Sequence, residues 1–228
     1  MSFTKKIYEN NFSNNVQEIT KKTLNNNDIT PILGLLDNSI DVVEYLSINN
    51  PDNVGLWNEI VSDIIASINS ATSGFYRQAI ITLRSILELG CMAFYFNDHK
   101  IEYHLFKTHD GKADKYVSTL IRDHDFFTTK YIHSFYPNIE NVQKERNSVS
   151  NYLNRLYKDL SDAVHGRYKT LTKTNDLKIY YDVKQFNFYQ DKLQSVIGIL
   201  VTMFILRYNI TDKNELYKLV NRIGVVNL

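Results

Sequence analysis

Apolar residues recur at steps of three and four over most of this chain, the period of α-helices that bury one side. The strongest case is residues 75–97, FYRQAIITLRSILELGCMAFYFN, where Phe75, Ala79, Leu83, Ile86, Leu87, Cys91 and Phe94 keep that spacing and most positions between them are apolar too. A helix so apolar on nearly every side belongs at the centre of a bundle. Upstream, a polar and loose opening precedes a short helix over 16–24, which stops at Asn25-Asn26-Asn27 because asparagine favours caps and turns. Residues 29–46 form the next helix, with Ile32, Leu33, Leu36, Ile40, Val43 and Leu46 at helical spacing and Pro31 in the first turn, where proline costs little. After a loop at 49–53, residues 57–68 read as an amphipathic helix with Trp57, Ile60, Val61, Ile64, Ile65 and Ile68 inward. Gly74 leaves only a short link to the central helix, so these two are expected to pack antiparallel.

Past Asn97 the pattern loosens into a charged and aromatic stretch that holds five of the six histidines. It reads as a somewhat mobile insertion between two halves of a bundle, with a short helix over 112–121. His99, His104, His109, His124 and His133 show no metal-binding spacing: none are four apart around a glutamate, and His104 and His109 fall on different faces of a helix. They are expected to be scattered surface histidines. A long helix follows from about 139 to Gly166, with Val142, Val149, Tyr152, Leu153, Leu156, Leu160 and Val164 as its buried stripe and the glycine as its stop. Residues 178–183, KIYYDV, are candidates for an extended segment. Residues 186–208 form one more long helix, and 211–223 a final amphipathic one capped by Thr211 or Asp212.

These elements predict an all-α, antiparallel helical bundle. Residues 1–53 make an N-terminal helical extension and 54–228 the bundle proper, interrupted by the aromatic and charged insertion at about 98–138. A length of 228 residues suffices for a substantial core. With 26 basic against 25 acidic residues no global field draws the chain to nucleic acid or membrane, so any RNA contact must come from a local patch. The single cysteine, Cys91, excludes an intramolecular disulfide and argues against a cysteine-based zinc site. The start lacks the apolar stretch of a signal peptide, and the run 196–206 is shorter than the ~20 residues of a membrane span, so a cytoplasmic protein with no membrane partner is expected. No glycine-rich phosphate loop or nucleophile elbow occurs, and neither a cofactor nor a metal is expected.

Two places carry candidate chemistry. Arg84 and Glu88 stand one turn apart inside the central helix, where an ion pair adds little if exposed and must be satisfied if buried. At the end of the long helix, Ser161 and His165 are one turn apart, flanked by Lys158 and Asp162 and followed by Arg167 and Tyr168. A histidine there also serves as an ordinary helix C-cap, its cation favoured by the macrodipole.

Arg84-Ser-Ile-Leu-Glu88 in an apolar helix, followed by Leu160-Ser161-Asp162-Ala163-Val164-His165-Gly166 at the end of a later one, resembles the HEPN superfamily of all-helical domains. The resemblance implies an antiparallel bundle that homodimerises, with the helix-terminal histidine in a cleft at the dimer interface. It also implies a bacterial defence or toxin–antitoxin type system, in which many members are metal-independent ribonucleases and others are inactive scaffolds or nucleotide-binding domains. On this chain the implied catalytic set is His165, Arg84, Glu88 and Ser161, and the implied binding set Lys158, Asp162, Arg167 and Tyr168. The implied partners are RNA or a protein of a defence complex. Active members carry R-x4-6-H, whereas here Leu160, Asp159 and Lys158 fill the arginine positions. An ammonium at Lys158 does not reproduce a bidentate guanidinium. Two readings stay open: a ribonuclease in which His165 moves the proton and Arg84 or Arg167 stabilises the phosphate, and a non-catalytic scaffold or sensor in which Arg84 and Glu88 are a structural pair.

Overall fold

The computed structural model describes residues 4–108, 117–135, 148–164, 179–210 and 214–226, and among them every regular element is helical. Four long helices carry the core: α3 (Thr30–Asn49), α4 (Val54–Thr72), α5 (Tyr76–Asp98) and α10 (Val183–Tyr208), with α9 (Ser148–Val164) closing the other side of α5. Shorter helices complete the chain: α1 (Lys5–Tyr8), α2 (Asn14–Asn26), α6 (Lys100–Thr108), α7 (Val117–Asp123), α8 (Thr129–Phe135) and α11 (Asn214–Ile223).

The central position of α5 follows from its composition. It packs on α4, α9 and α10 and buries Leu83, Ile86, Leu87, Cys91, Ala93, Phe94 and Phe96. Its length and hydropathy would allow a membrane crossing, but most of that apolar window is turned into the bundle. Gly74, with φ of +84°, makes the reversal between α4 and α5, a backbone conformation that side chains with a Cβ rarely adopt. Two other glycines set close helix crossings: a Cβ at Gly90 would stand 2.4 Å from Leu200 on α10, and one at Gly198 would stand 2.3 Å from Ile223 on α11.

The predicted elements all recur among the described residues, with shifted ends and some faces turned. The opening is helical from Lys5 onward, through a π-helical turn at Glu9–Ser13, instead of loose. Thr4 caps that start with its hydroxyl. On α4, Trp57, Ile60 and Ile64 face inward as expected, but Ile65 is 45 % exposed and Ser67 and Ala71 complete the buried face. Phe75 lies outside α5 and is exposed. Of the expected α9 stripe, Val149, Leu153, Leu156 and Leu160 are buried, while Val142 lies outside the described residues, as do the helix start predicted near 139, the stop at Gly166 and the α11 caps Thr211 and Asp212. The described parts of the insertion are docked and contribute to the core: α7 packs on α5 and α9, and Val117, Leu120, Ile121, Phe126, Phe127 and Ile132 are buried. The reason is aromatic content, since Phe126 sits edge-on to Tyr131 and 5.2 Å from the Phe94 ring of α5.

Residues 179–182 carry no regular structure, with Asp182 in an extended conformation, and are tied down by hydrogen bonds to helices. Ile179 O accepts from Asn15 and the Asp182 N–H donates to the Tyr76 hydroxyl at 3.0 Å. Asp182 then caps α10, its carboxylate accepting from the N–H groups of Lys184 and Gln185 at 2.8 and 3.0 Å. Asp182→Ala removes two charge-assisted bonds from orphan helix donors and is expected to destabilise the protein by about 1 kcal/mol, read as a shifted urea midpoint at constant slope.

Candidate functional site

The segment bearing Arg84 and Glu88 lies on the face of α5 that meets α9. Arg84 Nε donates to Glu88 Oε1 at 3.0 Å, and a terminal nitrogen of Arg84 donates to the Tyr157 hydroxyl of α9 at 2.9 Å, across 73 residues of sequence. The guanidinium carbon also lies 5.0 Å from the centre of the Tyr157 ring, a cation–π distance. Arg84 is 18 % exposed and Glu88 33 %, so the pair sits at the edge of the core, part wet. Burial alone would lower the Arg84 pKa, but the Tyr157 hydroxyl and the Glu88 carboxylate outweigh it and hold the guanidinium above its ordinary value. It is therefore charged at every working pH and already compensated.

Farther along the same interface, Arg77 donates to the carbonyl oxygen of Val164 at 3.3 Å. Arg77 precedes Arg84 by about two helical turns, and Val164 follows Tyr157 by the same interval, so α5 and α9 run antiparallel in one register. The end of α9 thus faces Arg77 and not Arg84, which stands ~10 Å along the axis at 1.5 Å per residue. Ser161 spends its hydroxyl on the Tyr157 carbonyl at 2.7 Å, within its own helix. Lys158 is exposed and Asp162 half-buried. His165, Arg167 and Tyr168 lie outside the described residues. Two members of the interface escaped the sequence reading: Tyr157, which stands beside the expected stripe and not in it, and Arg77, whose two-turn spacing from Arg84 was the signal that could have found it.

Cys91 lies one turn below Glu88 and is fully buried. Burial, with the Glu88 charge adding to it, pushes its thiol up to about 12. A thiol reagent at pH 8 is expected to leave the native protein unmodified and to titrate one thiol after denaturation, since only thiolate reacts.

A second polar cluster occupies the other end of α5. Asp98 forms an ion pair with Arg207 of α10, and its other oxygen is 3.6 Å from His124 Nε2. His99 stacks on Tyr95 with ring centres 3.9 Å apart and lies 5.4 Å from the His124 ring. Two histidines expected to be scattered are therefore neighbours. Burial alone would raise the Asp98 pKa, but His124 and Arg207, and then His99, hold its carboxyl below the usual carboxylate range. Tyr95, His99, Thr119, Leu120, Asp123 and His124 line a cavity of about 210 Å³. Among the described residues no three histidine, cysteine or carboxylate side chains converge to hold a metal ion.

Compared with protein-family models, curated proteins and solved structures, the chain matches none of them.

Proposed function

We propose that this chain is a HEPN-like protein of a bacterial defence or toxin–antitoxin type system that cleaves RNA without a metal, as a homodimer. One observation supports the reading above the others: α5 and α9, the helices that carry the two HEPN-like segments far apart in sequence, pack antiparallel against each other through the Arg84–Tyr157 and Arg77–Val164 contacts. RNA supplies its own nucleophile in the 2′-hydroxyl, so the protein need only move protons and stabilise charge on the phosphate. By the resemblance His165 takes the proton-transfer role. Arg77, at the carbonyl of the preceding residue, adds a cation where the expected R-x4-6-H arginine is missing.

A second reading, a non-catalytic scaffold or sensor that binds a protein or nucleotide, is favoured by the Arg84 geometry. With its charge matched by Glu88 and a further donor spent on Tyr157, Arg84 has little left for a phosphate. Incubation of the purified chain with labelled single-stranded RNA in EDTA separates the two. The nuclease reading expects cleavage that persists in the chelator, from a species of twice the chain mass by light scattering. Intact RNA after long incubation would leave the scaffold reading in its place.

A further inference from the structure

A helix that packs one side on a core needs an apolar stripe about 100° wide. α3 carries twice that. Ile32, Leu35, Val42 and Leu46 are buried in the core, while Leu33, Leu36, Ile40 and Val43 recur at three- and four-residue steps on an adjoining side. That second row stays open to water, with Leu33 43 % and Ile40 38 % exposed.

The neighbours of α3 fix where this row points. The Tyr45 ring meets Phe204 and Tyr208 of α10, and at 100° per residue Leu36 and Val43 fall on the opposite flank of the helix, towards α4. On α4, Asp63 accepts from Ser85 and Ser67 donates to the Ala79 carbonyl, which sets that flank against α5. Val61, Ile65 and Ile68 fall on the other flank, towards α3. The two rows therefore meet along the α3–α4 crossing as one apolar groove. Leu36, Val43, Val61 and Ile68 are its half-buried floor, and the exposed Leu33, Ile40 and Ile65 its lips.

Charge at this groove has one sign. Residues 23–76 hold seven aspartates and glutamates and no lysine, arginine or histidine, which leaves 26 basic against 18 acidic residues in the rest of the chain. Asp37 and Glu44 stand exposed beside the open row of α3. On the far flank of α3, the α11 cations Lys218 and Arg222 bond to Glu215 and Gln194.

We infer that the α3–α4 groove takes an amphipathic helix of a partner protein, its apolar side anchored on Leu33, Ile40 and Ile65 and a lysine- or arginine-rich edge set against Asp37 and Glu44. A second copy of this chain fits less well. Two such grooves face to face would set carboxylates against carboxylates with no cation between them. The exposed apolar pair of α6, Ile101 and Leu105, spans one turn, about 6 Å, against ~15 Å from Leu33 to Val43. Its lysines are engaged as well, Lys100 with Asp52 and Lys107 over the Tyr103 ring. The inference is independent of the RNA-cleaving reading and uses no step of it.

The probes are two fluorescein-labelled peptides of about 14 residues, ~21 Å as a helix, with leucine on one side and either lysine or glutamate on the other. Binding to the full chain is read as anisotropy, and melting curves and light scattering are recorded for every variant. The wild type is expected to bind the lysine peptide at least about 10-fold tighter than the glutamate peptide, a preference that falls as salt is added. Ile40→Ser with Ile65→Ser should weaken the lysine peptide about 10-fold and melt within about 2 °C of wild type, since both side chains are exposed. Asp37→Lys with Glu44→Lys should reverse the preference. Asp123→Lys with Asp125→Lys, an equal change of charge beside α7, should leave it intact. A wild type that does not hold the lysine peptide overturns the inference, as does binding weakened equally by the α7 and α3 charge reversals, or unchanged in a folded serine variant. Should the serine variant unfold, the α3 reversal decides, and an unreversed preference overturns the site. A wild type of twice the chain mass that becomes single in the serine variant puts a second copy in the groove and overturns the partner helix. RNA cleavage, or its absence, enters none of these outcomes.

Discussion

Arg84→Ala is expected to lower the melting temperature by ~4–8 °C, the equivalent of about 2 kcal/mol for a chain of this size. The substitution strands the Glu88 carboxylate and takes the hydrogen bond and the cation–π partner from Tyr157 at once. A fully buried pair would lose more. Here Glu88 retains 33 % exposure, so water takes up part of the charge. Arg84→Lys should recover only a fraction of the loss, because an ammonium cannot bond both partners in the same fixed fork. Arg84→Met combined with Glu88→Leu should lie closer to wild type than Arg84→Ala alone, since replacing both charges removes the unpaired one. If Arg84→Ala melts with wild type, the pair is not structural, and the scaffold reading loses its main support.

Gly90→Val is expected to be more damaging, at about 3 kcal/mol, with much of the loss returned by Leu200→Ala in the same chain. A Cβ at position 90 would stand 2.4 and 2.9 Å from the two methyl carbons of Leu200, well inside van der Waals contact. Leu200 is itself buried in the core. Valine also suits a helix better than glycine does, a gain of a few tenths of a kcal/mol that the clash overwhelms. Equilibrium unfolding of the two single variants and the double variant yields the coupling directly. A Gly90→Val protein as stable as wild type would mean that α5 and α10 can part at this crossing without cost.

Gly90 is one small residue in an apolar run, and nothing local says that a second helix passes over it. Arg84 and Glu88 did stand out, because two charges inside so apolar a stretch need an explanation. The partner that explains them, Tyr157, could not be read from the chain. It was one aromatic among 16 tyrosines, at a helix position outside the expected buried stripe. His99 and His124 were discounted for a reason sound in itself, since their spacing fits no single element. They meet because a separate helix, α7, folds back along α5 and delivers His124 to the α5 end.

What the sequence determined by itself was the helical class, the number and approximate extent of the long helices and the burial of α5. Those features depend on the period of apolar residues, on prolines and glycines at element ends, and on local capping, all written within a few residues of each other. The tertiary structure alone decided which faces meet and which charges are shared. Arg84 finds Tyr157 and Asp98 finds Arg207 only after helices from distant parts of the chain have packed. Side-chain pairing of that kind depends on crossing angle and register, and these are set by how whole helix surfaces interlock, a property no short stretch of sequence contains.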